Sequence, residues 1–376
     1  MESKLKSTCV RKDLSDSVDV VTLERSGIEE MFITVAPRRD ADPFDMFDEL
    51  TRVTKNRDFQ ILRQYVFGSC KLHAKGVVAL NRIYPEREWP VTWVEDNAGS
   101  GELLTGTQAC ALRGGDIEPI VVDGRHVGCV FEDEFARHCL LGDIRPDNLS
   151  VSRSEQTREV LLKIEKSLDM AGMDFSNVMR TWFYLDNLLA WYDDFNAVRT
   201  KFFRERSVFE GIVPASTGIG AGNSVGVALV ADVHAIQVKG GGVKLEAVGS
   251  PLQCPAVEYG SSFSRAVEIS YPDHRRLYIS GTASIDADGN SVNIGDTRRQ
   301  IILTMDVIEG ILESRRMGWG DVARAVAYFA DITDAPLLSS YCRDAGIQHF
   351  PVSISHADIC RDDLLFEMEV DALSAC

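Results

Sequence analysis

The chain predicts an α+β fold made of tandem copies of one module, and three observations carry that expectation. One order of segments (strand or hairpin, helix, strand, helix, strand, strand) is read three times along 376 residues. The second and third readings align without strain, VMRTWFYLDN beside VARAVAYFADI and IVPASTGIGAG beside HFPVSISHADI. Apolar content is ordinary at 45 % with no low-complexity tract, and the length suffices for two or three cores.

Residues 1–27 are polar, with few periodic apolar positions, and are read as a tail or an edge strand. A first, degenerate copy over 28–116 starts with the strand MFITVAP but has no good opening hairpin. Its first helix begins after Pro43 and repeats Phe44, Phe47, Leu50 and Val53. FQILRQYVFGS is a strand, KLHAKGVVALNRIYP a helix stopped at Pro85, and WPVTWVEDN and GTQACALRG are extended around a Gly-rich gap. The second copy, 117–242, opens with a hairpin turning at Asp123-Gly124. A helix follows, with Ser154 as N-cap, apolar Val160, Leu161, Ile164 and Leu168, and a stop at Gly172. VMRTWFYLDN is a strand, LLAWYDDFNAVRTKFFRER a helix with a polar stripe, VPASTGIGAGN a Gly-rich loop, and SVGVALVADVHAIQV a long strand. KGGGVKLEAVGSPLQCP reads as a linker. The third copy, 255–376, repeats the grammar and ends in LLFEMEVDALSA.

The net charge of −17 excludes a general nucleic-acid binder, which needs clustered Lys and Arg. Nine scattered cysteines without a Cys-x-x-Cys pair suit reduced thiols. No signal-like apolar core and no membrane-length apolar run is present, so the expectation is a soluble, cytoplasmic protein without membrane partners. The seven histidines have no metal-ligand spacing, and neither a metal nor a cofactor is expected.

The chemistry concentrates near the end of the chain. Glu367, Glu369 and Asp371 alternate with apolar residues, so a strand places all three carboxylates on one face. That face is either harmlessly solvated or, inside a cleft, able to do acid–base work. Arg180 and Tyr184 share one face of their strand, where the Arg is either a structural ion partner or a fork for a substrate carboxylate. Arg199 on the next helix is a second candidate cation, against the commoner solvated role. PASTGIGAGN is no phosphate loop, because a strand rather than a helix follows it. It can still present backbone N–H groups around Thr217 and Gly218 to a small anion. Thr282 and Ser284 offer hydroxyls. Cys360 beside Arg361 has no evident histidine partner other than nearby His356, which favours a pocket-lining thiol over a nucleophile.

VMRTWFYLDN, PASTGIGAG, LYISGTASI, GWGDVARAVAYFADI and FEMEVDA resemble the Rid superfamily (reactive intermediate deaminases), over roughly 117–376 and more faintly 28–115. The resemblance implies chorismate-mutase-like βαββαβ modules that assemble in threes with ligand sites between them. Three modules in one chain then imply a pseudo-threefold trimer, monomeric or a low-order homo-oligomer. Within the superfamily, Arg180-Thr181-Trp182 with Tyr184, Pro214–Gly220, Ser280–Ile285, and Asp358–Arg361 before Leu364–Glu367 are similar to the chorismatases. These hydrolyse chorismate, a small carboxylate metabolite, to pyruvate and a hydroxybenzoate or cyclohexadiene-diol. The likeness makes Glu367 the general acid with Glu369 beside it, and the Gly281/Cys360 pairing looks like the hydroxybenzoate-forming kind. Arg180, Tyr184, Arg199, Thr217, Gly218, Gly281, Thr282, Ser284, Cys360 and Arg361 become the substrate-binding set. Two departures stand out. The loop DADGNSVNIGD lacks the histidines usual in chorismatases, and the carboxylate-binding Arg of the deaminases is Ser216 and Ser353. A Rid-type enamine or imine deaminase and a non-catalytic metabolite-binding protein remain the alternatives.

Overall fold

The computed structural model describes residues 8–38, 42–95, 103–256 and 261–376, and the Gly-rich gap after Asn97 lies outside them. The first module runs β1 (Cys9–Asp13), β2 (Val18–Glu24), β3 (Glu29–Val35), α1 (Asp45–Lys55), β4 (Gln60–Gly68), α2 (His73–Ile83), β5 (Val91–Val94) and β6 (Leu104–Arg113). The second comprises β7 (Ile117–Val122), β8 (Arg125–Glu132), β9 (Ala136–Ile144), α3 (Arg153–Met170), β10 (Val178–Leu185), α4 (Tyr192–Glu205), β11 (Ala215–Gly220) and β12 (Leu229–Val238). The third has β13 (Lys244–Val248), β14 (Ala266–Ser270), β15 (His274–Ala283), α5 (Thr297–Ser314), β16 (Val322–Phe329), α6 (Ala335–Asp344), β17 (Val352–His356) and β18 (Phe366–Ala375). Their sheets are ordered β1-β2-β3-β6-β4-β5, β7-β8-β9-β12-β10-β11 and β13-β14-β15-β18-β16-β17, one topology three times over. The tandem α+β architecture is therefore as expected.

Several boundaries shift. Each module opens with three antiparallel strands, so the expected opening hairpin is one strand short. Residues 9–24, taken within the 1–27 tail, form β1 and β2, and β2 pairs on both sides. Lys244–Val248, taken as linker, is β13 and pairs with β14, so the third module begins at 244 rather than 255. β9 went unread because Arg137, His138, Gly142 and Asp143 break its apolar alternation; pairing with both β8 and β12 sustains it. Ala215–Gly220 is no loop but the edge strand β11, parallel to β10. The N-cap of α3 is Ser152, two residues before the expected Ser154. Its Oγ accepts from Glu155 N at 3.2 Å, while Ser152 N donates to Glu155 Oε2 at 2.9 Å, closing a capping box.

In each module the two helices cover one sheet face and bury the main apolar core between them. The other faces meet at the centre of the molecule around Tyr65, Trp182, Tyr184 and Tyr328. Edge strand β5 meets β9 of the second module, β11 meets β15 of the third, and β17 returns to β3 and β6 of the first. The modules thus close a head-to-tail ring with an approximate threefold axis. Register matches Tyr65 with Gln108, Trp182 with Asp232 and Val326 with Glu369, which makes those three polar residues equivalent. One step along, Phe67 pairs with Gly106, Tyr184 with Val230 and Tyr328 with Glu367.

Candidate active site

A cleft of about 240 Å³ lies between the second and third modules. From one side α4 brings Tyr192, Asn196 and Arg199, and β11 brings Ser216 and Gly218. From the other come Phe263, Arg265, Gly281, Cys360, Arg361 and Glu367. Of the expected site residues, Arg199, Gly218, Gly281, Cys360, Arg361 and Glu367 are therefore brought together. The remaining six sit elsewhere.

Glu367 is nearly fully buried, at 4 % exposure. Burial, reinforced by the neighbouring Glu369 carboxylate, raises its pKa to about 8 against the lowering pull of Arg180 and Arg265. Gly281 lets Glu367 approach closely: a Cβ there would overlap Glu367 Oε1, so the carboxyl would have to shift. Its N–H donates to Thr217 Oγ1 at 3.1 Å.

Glu369 lies behind the cleft rather than in it. Its Oε2 accepts from Arg180 Nη2 at 2.9 Å, and its Oε1 faces Trp182 Nε1 at 3.0 Å and Arg324 Nη2 at 2.8 Å. Burial alone would raise its pKa, but Arg324 and Arg180 outweigh that and lower it. The adjacent carboxylates thus differ in state, Glu369 ionised and Glu367 protonated at neutral pH. Thr217 accepts from Arg180 Nη2 at 2.7 Å and so belongs to the same support. Arg180 is wholly buried, committed to Glu369, and packed over Trp182 at 4.6 Å. It underpins the cleft without lining it. Tyr184 packs edge-on against Tyr65 in the central cluster. The Thr282 hydroxyl donates to Ser280 O at 2.9 Å. Ser284 Oγ donates to Val292 O at 2.9 Å, bracing the 286–294 turn.

The cleft's cations are positioned by short-range bonds. Arg199 Nη2 donates to Asn196 Oδ1 at 2.7 Å, and its Nη1 to Ser216 Oγ at 3.3 Å. Arg361 Nη1 donates to Gly289 O at 2.9 Å and Ser291 Oγ at 3.2 Å, tying the loop without histidines to the cleft. Arg265, not anticipated, donates from Nε to Cys254 O at 3.0 Å. It immediately precedes β14, a strand the sequence reading passed over. Tyr192, Asn196 and Arg199 follow i, i+4, i+7 spacing, so the polar stripe on α4 already pointed to one helix face. Burial, with Glu367 next, pushes the Cys360 thiol up to about 12, which leaves it a lining group rather than a thiolate.

A separate, small cavity of about 30 Å³ lies near the axis, among Glu30, Arg63, Gln108, Arg276, Arg324 and Asp371. Arg276 pairs there with Glu30, and Arg324 with Asp371, so it is polar core. Among the described residues no helix is long and apolar enough to cross a membrane.

No family model matches the chain. It is 28 % identical over 224 residues to a chorismatase of Streptomyces rapamycinicus, covering 54 % of this chain and 66 % of that protein. It is 25 % identical over 244 residues to a 3-hydroxybenzoate synthase of Streptomyces hygroscopicus, covering 57 % and 68 %. The matches thus span about two thirds of these relatives. A solved chorismatase structure superposes over 99 % of this chain and 100 % of that one, with TM-score 0.61 and 17 % identity. That likeness establishes the fold. In fold and in sequence, the chain resembles the chorismatases.

Proposed function

We propose that this chain is a chorismatase-like hydrolase of a small enol-ether carboxylate, with Glu367 as general acid. The observation that carries the reading is a single buried carboxyl, raised to about 8, in a cleft with Arg199, Arg265 and Arg361. A neutral acid among guanidinium groups suits an anionic substrate that must be protonated. Glu367 gives its proton to the terminal carbon of the enol ether, leaving an oxygen-stabilised cation. Water adds to that cation, and the Glu367 carboxylate takes the proton this releases. The resulting hemiketal collapses to pyruvate and an alcohol. The arginines hold carboxylates and orient the reacting carbon. Arg180 and Glu369 act through Thr217 and Gly281 as positioning residues. The chorismatase relatives support chorismate as the substrate to try first. Ser216 at the cleft, where the deaminases of the superfamily have an arginine, weighs against imine deamination.

The test is pyruvate release from chorismate by the purified chain. Glu367→Gln keeps the shape and removes the proton, so turnover should fall by about 10²- to 10⁴-fold. Unchanged turnover in that variant would refute the assignment.

A further inference from the structure

The ring places a second module interface in the same relation as the first, between α2 and β5 on one side and β8 and β9 on the other. It holds a cleft of about 320 Å³. We propose that this cleft is a second small-molecule site, which binds a ring-bearing carboxylate without converting it.

Two bulges at matched positions show how closely the two clefts correspond. In the candidate active site, Ser280 and Gly281 of β15 stand opposite Glu369 of β18. In the second cleft, Gly142 and Asp143 of β9 stand opposite Asp232 of β12. Bulges of this kind re-aim side chains and gather beside functional sites. Asp143 adopts φ +50°, a left-handed conformation that aspartate accepts more readily than most non-glycine residues.

The lining is cationic in a chain of net charge −17. Arg87, Arg125 and Arg145 surround the single carboxylate of Asp143, with His73 and His126 alongside. Asp143 is engaged by Arg125, whose Nη2 donates to Oδ2 at 2.6 Å, whereas Arg145 Nη1 stands 3.9 Å from Oδ1. Among the described residues, Arg87 Nη1 and His126 Nδ1 are buried without a hydrogen-bond partner. Burial lowers the pKa of both Arg87 and Arg145, a strain that a bound anion relieves. Trp89 and Trp93 supply flat apolar walls for a ring. Val230 occupies the register position of Glu367, so the acid proposed for the first cleft has no counterpart here.

The test is ligand-observed ¹⁹F NMR of the full chain with 4-fluorobenzoate. Arg265→Glu, which reverses a cation of the first cleft, should leave saturable line broadening. Adding Arg145→Ala should weaken that binding at least tenfold. Val77→Trp, a neutral change that fills the second cleft, should remove one of two binding events in the otherwise unaltered chain. Binding absent in Arg265→Glu, or indifferent to both Arg145→Ala and Val77→Trp, would overturn the proposal. So would equal displacement of the probe by inorganic phosphate, which would make the cleft a general anion site. The readout is binding alone, so it is independent of turnover at Glu367.

Discussion

The neighbouring acids of β18 receive opposite fates from their surroundings. Glu367 faces a glycine and a cleft, whereas Glu369 faces two guanidinium groups and an indole. A pKa raised to about 8 means that the folded state holds its proton above the ordinary value of 4.5. Turnover should therefore hold up to about pH 8 and fall tenfold per unit above it, in a pH–rate profile. Between those values the folded state binds more protons than the unfolded one, so the group's contribution to stability declines as pH rises. Glu367→Gln should flatten that decline in a thermal melt. Gly281→Ala should lower kcat more than tenfold with a smaller change in KM, and destabilise by about 1–3 kcal/mol from overpacking. A steady-state assay and a melt read both. At this scale the strand alternation and the family likeness made Glu367 legible. They did not separate Arg180 and Tyr184 from the cleft. Periodicity says which side chains share a face, but not whether that face meets a cleft or the central core.

Among the elements, the 286–294 turn is closed by its own bonds to Asp286 and is braced in addition by Arg361. Arg361 holds Ser291 and Gly289 from its own side of the cleft, while Ser284 anchors the base of the turn. Arg361→Ala should raise KM severalfold and speed hydrogen exchange at the amides of residues 286–293, with exchange in α5 unchanged. The helices were the most legible elements, since their apolar spacing is local. α1 and α5 lie where the pattern put them. The missed strands share one cause. Each is sustained by pairing that its own sequence does not signal: β9 with β8 and β12, β13 with β14, β14 also with β15, and the glycine-rich β11 at a sheet edge beside β10. Missing β14 also hid Arg265.

Across the whole molecule, buried ion pairs link all three modules. Arg25 joins Asp133 at 2.6 Å between the first and second, Arg180 joins Glu369 between the second and third, and Arg276 joins Glu30 between the third and first. Removing one member leaves its partner charged and buried, which costs about 3–5 kcal/mol. Glu369→Gln should cause a loss of that order in urea unfolding, while the transition stays single because no sheet buries its inner face alone. Separate transitions for separate modules would contradict this account. The threefold plan was legible from repetition, because equal strings fold to equal sheets. Which interface carries chemistry was not, because that rests on single substitutions at matched positions.

Joining the modules covalently also changes how such a ring can be inherited. In a ring of three identical chains, any substitution near the axis arrives in triplicate, and a carboxylate at the position of Glu369 would set three like charges facing one another. Here the matched positions are Gln108, Asp232 and Glu369, and one step along they are Gly106, Val230 and Glu367. Each interface can drift by itself, so a mutation that would be lethal three times over is tolerable once. Fusion therefore turns a repeated scaffold into three separately evolvable surfaces, one free to acquire an acid while the others keep the ring closed.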